Sequence, residues 1–349
     1  MSFSKKILLW YDQNKRDLPW RNTKDPYKIW LSEIMLQQTR VAQGTPYYLK
    51  FLENFPTVQD LAAADAEKVL KLWQGLGYYS RARNLHATAK MVTERYNGKF
   101  PHTYKELVKL KGVGDYTASA IASICFDEPE PVVDGNVYRV LARYFGIEIA
   151  INSTEGIKYF KQLAREVMDT SEVRDYNQGI MEFGAIQCAP KKPYCLHCPL
   201  KESCVALKEN KINRLPLKLN KTKVRNRYFN YLVPLVNGSR SGYKTILQQR
   251  KGKGIWEGLF EFPLLETDME IGIQEVRQKL KGVLMLDDVP QIYQYNDHKI
   301  VHKLSHQHLY TKFWIVKTAT PLKEGIGLSE LDKYPVPVLI ADFIDTFKI

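Results

Sequence analysis

Leu110-Lys111-Gly112-Val113-Gly114-Asp115-Tyr116-Thr117-Ala118 lies between two helical segments, and its reading decides how the N-terminal part of the chain is built. Gly112 and Gly114 permit a tight hairpin that leaves the amides of the following helix pointing outward. Bare N–H groups at a helix start suit a phosphate. A helix stop followed by a fresh helix would use glycine too, so position matters. About one helix length further on comes Pro131-Val132-Val133-Asp134-Gly135-Asn136, followed by Val137, Val140, Leu141 and Tyr144 at helical spacing. Asp134 therefore falls where a helix begins. It is either a plain N-cap or a carboxylate that the helix N-terminus keeps ionised.

Upstream, Trp30-Leu31-Ser32-Glu33-Ile34-Met35-Leu36-Gln37-Gln38 puts one carboxylate beside Ile29, Trp30, Ile34 and Gln37. Burial disfavours the ionised form, so the Glu33 pKa is expected to rise, giving a proton donor near neutral pH. The alternative is a glutamate bonded to a neighbouring arginine such as Arg40. Two carboxyls whose surroundings drive their acidities apart suit cleavage of a glycosidic bond: one protonates the leaving group while the other stabilises or attacks the sugar cation.

Four of the five cysteines, Cys188, Cys195, Cys198 and Cys204, crowd into one short stretch. Four thiolates in a compact loop suit a [4Fe-4S] cluster, which needs a soft ligand at each iron. Structural zinc is the rival, but it favours two close pairs, and only Cys195 and Cys198 form one. Disulfides rank third, since the chain carries no export segment. Cys125, in an apolar run, reads as a buried thiol.

With 51 Lys and Arg against 38 Asp and Glu, the formal net charge is +13 over 349 residues. The excess favours a polyanionic partner, though a basic enzyme of another kind would show it too. The length suffices for two or three domains, and no apolar run is long enough to span a bilayer. An iron-sulfur site without an export segment implies a reducing interior compartment, so a cytoplasmic protein is the expectation. Residues 1–207 read as helices, with apolar spacing from Trp30 to Phe51 and from Ala62 to Leu72. Residues 208–227, rich in Lys, Asn and Arg, read as a linker. From residue 228 to 349 the texture is α+β: strands at Tyr228–Val236, Lys244–Gln249, Trp256–Leu265 and Phe313–Thr318, and a helix at Ile271–Leu280.

The glycine hairpin, Val133-Asp134-Gly135-Asn136 and the four cysteines, in that order, resemble the helix-hairpin-helix DNA glycosylase superfamily that includes endonuclease III. Leu18-Pro19-Trp20-Arg21, Ser32-Glu33-Ile34-Met35-Leu36-Gln37-Gln38-Thr39 and Gly75-Leu76-Gly77-Tyr78-Tyr79-Ser80-Arg81 resemble its MutY-type adenine DNA glycosylases. The resemblance implies a mainly α N-terminal helix-hairpin-helix glycosylase core with a [4Fe-4S] cluster loop, followed by an α+β Nudix-like C-terminal domain. It implies double-stranded DNA carrying 8-oxoguanine:adenine mispairs as partner, with the adenine flipped out for excision.

By the same resemblance Glu33 is the acid that protonates adenine N7, and Asp134 the carboxylate at the sugar. Asn136 and Tyr116 support that centre, Trp20, Arg21, Leu36 and Glu182 form the adenine pocket, and Gln38 and Tyr78 enter the base stack. Gly112 and Gly114 bind backbone, and Lys191, Lys192 and Lys201 ride on the cluster loop. Leu304-Ser305-His306 corresponds to a lesion-reading loop that is normally Phe-Ser-His, with Ser305 the polar reader of 8-oxoguanine and His306 its neighbour. A turn with scattered histidines at 298, 302, 306 and 308 is the plainer reading of that stretch. Tyr116 stands where glycosylases that also cut the backbone carry a Schiff-base lysine, which favours base removal alone. Gln274-Glu275-Val276-Arg277-Gln278-Lys279 is too poor in carboxylates for a working Nudix centre. The competing readings are an endonuclease III-like glycosylase and lyase, and a non-catalytic DNA-bound iron-sulfur protein.

Overall fold

The computed structural model describes residues 1–219, 224–238, 242–296, 298 and 300–347, so part of the expected linker, residues 220–223, lies outside the described residues. The chain forms two compact units, residues 1–63 with 84–220 and residues 64–83 with 221–349. The segment 64–83 thus groups with the C-terminal part of the chain, a departure from a contiguous 1–207. Hydrogen bonds explain it: Lys71 Nζ donates to the Tyr334 carbonyl at 3.2 Å, the Val336 amide to Gln74 Oε1 at 3.2 Å, and Arg83 Nη1 to the Glu257 carbonyl at 2.7 Å.

The first unit is helical: α1 (Phe3–Asn14), α2 (Pro26–Leu36), α3 (Val41–Asn54) and α4 (Val58–Ala63) lead. After α5 (Ala66–Leu72), which belongs to the second unit, and α6 (Ser80–Tyr96), it resumes with α7 (Tyr104–Leu107), α8 (Asp115–Phe126), α9 (Gly135–Phe145), α10 (Thr154–Val167), α11 (Val173–Glu182) and α12 (Val205–Lys208). The helical spacing expected from Trp30 to Phe51 resolves into α2 and α3, with a break at Gln38, whose φ is +56°. Pro26 at the first turn and Asp25, accepting from the Tyr27 amide at 2.9 Å, start α2. Eight of its eleven residues are buried, so the helix has almost no solvent face to offer a carboxylate. Trp30, fully buried against Tyr27 and Phe100, anchors it; truncation to alanine would cost about 3–5 kcal/mol. The middle of the expected linker holds to this unit through Ile151 N to Leu217 O at 3.0 Å and Leu219 N to Asn152 Oδ1 at 2.8 Å.

In the second unit, β1 (Arg225–Asn237) runs parallel to β8 (Gln307–Lys317). Between them in sequence come β2 (Tyr243–Thr245), β3 (Gln248–Gln249), β4 (Phe260–Glu261), β5 (Leu264–Thr267), α13 (Ile273–Lys279), β6 (Gln291–Gln294) and β7 (Ile300–Lys303). β9 (Ile326–Gly327) and α14 (Val338–Thr346) follow. The sheet order is β6-β8-β1-β2-β9, with β5 on β1 and β7 on β8, while β3 and β4 form a separate pair. The expected strand Trp256–Leu265 is broken into β4 and β5, with Trp256 in a turn at φ +60°. Leu232, Trp314 and Val316 on the sheet bury against Val276 and Leu280 of the α13 region. No helix of the described residues is long and apolar enough to cross a membrane.

Candidate active site

Glu33 lies on the buried stretch of α2, only 7 % exposed. Burial pushes its carboxyl up to about 7, the nearby Asp134 charge adds to the rise, and a hydrogen bond from Tyr116 and the field of Arg21 oppose it. Arg40, the alternative partner weighed from sequence, is not among these causes. Tyr116, at the start of α8, also places its hydroxyl 3.3 Å from Met181 Sδ, and burial followed by the charges of Glu33 and Asp134 keeps its phenol well above the usual range.

Asp134 caps α9. Its Oδ1 accepts from the amides of Asn136 at 2.9 Å and Val137 at 2.8 Å, and its Oδ2 from Asn136 Nδ2 at 2.7 Å. The sequence leads to the expectation that the helix N-terminus favours its ionised form, and the hydrogen bonds do so, but burial acts against them. Burial is the largest influence and raises Asp134 above the usual aspartate value, against the three hydrogen bonds and Arg139, which lower it. Burial raises both carboxyls, but Asp134 has three hydrogen bonds and Arg139 favouring its charged form, whereas Glu33 has the Tyr116 bond and the field of Arg21. One acid with a single phenolic donor and another wrapped in donors can divide the work of protonation and charge stabilisation.

Behind Asp134, Arg139 fastens the helix start. It donates to Asn136 Oδ1 at 2.9 Å and to the carbonyls of Gly184 at 2.6 Å and Cys188 at 2.8 Å. The approach is possible because α11 continues as a π-turn, Phe183–Gln187, and because a Cβ on Gly184 would come within 2.7 Å of Asn136. Lys161 of α10 ties the hairpin to the same loop: its Nζ lies 3.1 Å from Asp115, 2.9 Å from Ser119 Oγ and 2.8 Å from the Pro131 carbonyl.

Glu182 is 2 % exposed and fully engaged. Burial would raise it, but Arg16, with two 2.6 Å bonds, and Arg21, at 2.7 and 3.1 Å, win and hold it down at about 2. Its oxygens thus orient Arg21. Trp20, in the single turn Pro19–Arg21, meets the edge of Tyr48, and Leu36 packs against Gly44, where a Cβ would come within 2.9 Å of it. Arg16, Arg139 and Lys161 were not singled out from sequence; a buried carboxylate at Glu182 needing more than one cation was the available hint for the first.

In the hairpin, Gly112 has φ +76° and a Cβ there would strike Asn84 at 2.7 Å, whereas Gly114 has open space above it. One glycine is required by the turn, and the other leaves the N-terminus of α8 bare for close approach. Gln38 and Tyr78 are exposed non-glycine residues held at φ +56° and +48°. Strain of this kind concentrates at functional positions. In the second unit Tyr78, Arg225, Arg227, Trp256, Ser305 and His306 line one cleft of about 640 Å³, so Tyr78 and the 304–306 turn come together.

Cys188, Cys195, Cys198 and Cys204 are free thiols, partly shielded from solvent. Burial, with the charge of neighbouring thiols, pushes Cys195, Cys198 and Cys204 up, Cys198 to about 11, while backbone amides of Leu200, Ala206 and Leu207 point at the sulfurs of Cys198 and Cys204. Among the described residues no three Cys, His, Asp or Glu side chains converge closely enough for a single ion. Four soft sulfur donors on one loop, two of them met by backbone amides, have the donor chemistry that an iron-sulfur cluster takes. Lys191, Lys192 and Lys201 are exposed on this loop.

Acid–base chemistry of this kind, mounted beside a hairpin that can hold a phosphate, defines an enzyme that cuts glycosidic bonds in nucleic acid by the helix-hairpin-helix route. Residues 31–166 match the family described as HhH-GPD superfamily base excision DNA repair protein, and residues 238–346 match the NUDIX domain. The chain is 37 % identical over 324 residues to the adenine DNA glycosylase of Buchnera aphidicola subsp. Baizongia pistaciae, covering 90 % of this chain and 86 % of that one. Against the adenine DNA glycosylase of Buchnera aphidicola subsp. Schizaphis graminum it is 36 % identical over 305 residues, 87 % and 85 % of the two chains. A solved thermostable thymine-DNA glycosylase aligns with a TM-score of 0.55 and 33 % identity over 59 % of this chain and 95 % of its own. The chain belongs to the MutY-type adenine DNA glycosylases of base excision repair, within the HhH-GPD superfamily.

Proposed function

We propose that the chain excises adenine paired with 8-oxoguanine in double-stranded DNA, and adenine paired with guanine less selectively, and leaves the abasic strand uncut. The observation that carries this reading is Glu33, buried and raised to about 7, electrostatically coupled to an Asp134 wrapped in donors. The adenine leaves the base stack, a step that costs a few kcal/mol, and Gln38 and Tyr78 fill the space it vacates. In the pocket of Trp20, Arg21, Leu36 and Glu182, the Glu33 carboxylic acid gives its proton to adenine N7. The C1′–N9 bond then breaks with its electron pair going to the base.

The Asp134 carboxylate stabilises the sugar cation and bonds to C1′. Water displaces it, and the water's proton returns to Glu33, as in a retaining glycosidase. Tyr116 and Asn136 hold the two carboxyls through the bonds described above. Tyr116 has no amine and cannot form the imine that strand cleavage requires.

The amides around Gly112 and Gly114 take a backbone phosphate, and Ser305 with His306 contacts the 8-oxoguanine. Cys188, Cys195, Cys198 and Cys204 would ligate a [4Fe-4S] cluster, which, when bound, ties down the basic loop of Lys191, Lys192 and Lys201. The hydrolysis itself transfers no electron.

The test is release of free adenine from an 8-oxoguanine:adenine duplex, with the strand cut only after alkali. Cutting without alkali, trapped by borohydride, identifies a lyase and defeats the proposal. Glu33→Gln and Asp134→Asn should each stop release while duplex binding persists.

A further inference from the structure

The hairpin between β7 and β8 turns at 304–307, closed by the Leu304 amide donating to the Gln307 carbonyl at 2.8 Å. Gln307 is 6 % exposed, and its carboxamide stands between two partners with opposite demands. Arg227 can only donate. Its Nη1 lies 3.0 Å from Gln307 Oε1, and its Nε and Nη2 are locked on Glu266 by two bonds of 2.6 Å.

The carboxamide oxygen of Gln307 therefore faces Arg227, and its amide nitrogen faces His306 Nε2, 2.8 Å away. An amide N–H has no lone pair to offer, so His306 Nε2 must accept. A neutral imidazole that accepts at Nε2 carries its proton on Nδ1. That nitrogen is 3.3 Å from Ser305 Oγ. The ring donates, and the serine oxygen accepts.

The consequence lies in what Ser305 has left over. A hydroxyl has one proton and two lone pairs. With one lone pair taken by His306, the proton and the other lone pair face the cleft. In the opposite tautomer Ser305 would give its proton to Nδ1 and present lone pairs alone. Guanine shows only acceptors, N7 and O6, along its major-groove edge. Oxidation at C8 turns N7 into an N–H between two carbonyl oxygens. A hydroxyl with both a proton and a free lone pair can make two bonds to the oxidised edge and one to guanine.

We infer that Gln307, oriented by Arg227 and Glu266, is a positioning residue that holds His306 in the Nδ1–H tautomer and so presents Ser305 as donor and acceptor together to a purine edge. The inference rests on the proposal that this turn contacts the lesion.

The full-length protein labelled with ¹⁵N-histidine reports the tautomer directly in long-range ¹H–¹⁵N correlation spectra at pH 8, with His306 assigned by its loss in His306→Asn. The expected pattern is a protonated Nδ1 in the wild type, moving toward Nε2–H in Gln307→Leu. An Nε2–H ring in the wild type overturns the inference.

Binding is then measured to duplexes carrying 8-oxoguanine or guanine opposite a tetrahydrofuran abasic analogue. Gln307→Leu removes the bond made by the serine proton on either base, so both affinities should fall by about five-fold, the value of one hydrogen bond. Ser305→Ala should weaken 8-oxoguanine more than guanine, since it removes two bonds from the first and one from the second. A Gln307→Leu protein that loses affinity for neither duplex overturns the positioning role. An Nδ1–H ring together with unchanged binding in both variants defeats instead the assignment of lesion contact to this turn.

Discussion

Replacing Glu33 by glutamine should make the protein more stable, and increasingly so as the pH rises. Glu33 is 7 % exposed, and its carboxyl is raised from 4.5 to about 7 in the folded chain. Below pH 4.5 both the folded and unfolded states hold the proton, and ionisation costs nothing. Between 4.5 and 7 the unfolded state releases it while the folded state does not, so stability declines; above 7 the decline is complete. A rise of this size corresponds to about 3 kcal/mol, at roughly 1.4 kcal/mol per pH unit. About 1 kcal/mol of it is already lost at pH 5.5, which leaves about 2 kcal/mol to appear between pH 5.5 and 8.5. Glutamine keeps the shape and an acceptor for the Tyr116 hydroxyl but cannot ionise. The difference in apparent Tm between Glu33→Gln and wild type, scanned at one rate with the cluster intact, should therefore widen by roughly 4–8 °C across that window. Glu182 supplies the control of opposite sign. Its carboxyl is held at about 2, so its stabilisation is fully present above pH 4.5, and Glu182→Gln should destabilise evenly from pH 5.5 to 8.5. A Glu33→Gln difference that stays flat or narrows with pH would falsify the buried-acid account.

The single-turnover rate of adenine release should fall above pH 7, approaching ten-fold per unit, as Glu33 loses its proton; a rate constant up to pH 9 rules out Glu33 as the donor. Lys161→Met should weaken duplex binding and slow release from bound duplex, because it leaves Asp115 uncompensated and frees the Pro131 carbonyl. Adding Asp115→Asn should restore the binding but not the rate, and a rate equal to wild type in the single variant removes Lys161 from any part in placing Asp134. Iron and acid-labile sulfide should be found at about four of each per chain, as a [4Fe-4S] cluster requires. Zinc in their place would overturn the cluster.

Features built from contiguous residues are legible in the sequence. The hairpin around Gly112 and Gly114, the cap at Asp134 and the buried face carrying Glu33 each follow from spacing over a single helix or turn. Features created by distant packing are not. Arg16 meets Glu182 across 166 residues, and neither neighbourhood names the other. Segment 64–83 takes its partners from Glu257 and from residues 334–336, so its grouping is a tertiary fact. Asp134 shows how a local argument errs: the helix field and the three donors act as expected, yet burial, which only the fold supplies, has the larger effect. The strand expected from Trp256 to Leu265 failed for another reason. Trp256 at φ +60° and Gly258 at φ +82° force a turn into a run whose composition favours extension.

Both acids are raised, and this bears on how a basic protein can hold them beside a polyanion. Two ionised carboxylates close to a DNA backbone would repel it, and each would see its pKa rise further as phosphate charge approached. Glu33, half protonated near pH 7, resolves the conflict by taking up a proton, which in the mechanism we propose is the one spent on the base. Linkage makes this reciprocal: whatever binds the protonated form more tightly also raises the fraction protonated. At Asp134 the amides of Asn136 and Val137, the Asn136 side chain and the nearby Arg139 oppose the rise from within the protein, although burial remains the larger influence. One carboxyl has a phenol and an apolar helix around it, the other a ring of N–H donors, so of the two it is Asp134 whose charged form the protein's own hydrogen bonds favour more when a phosphate raises both.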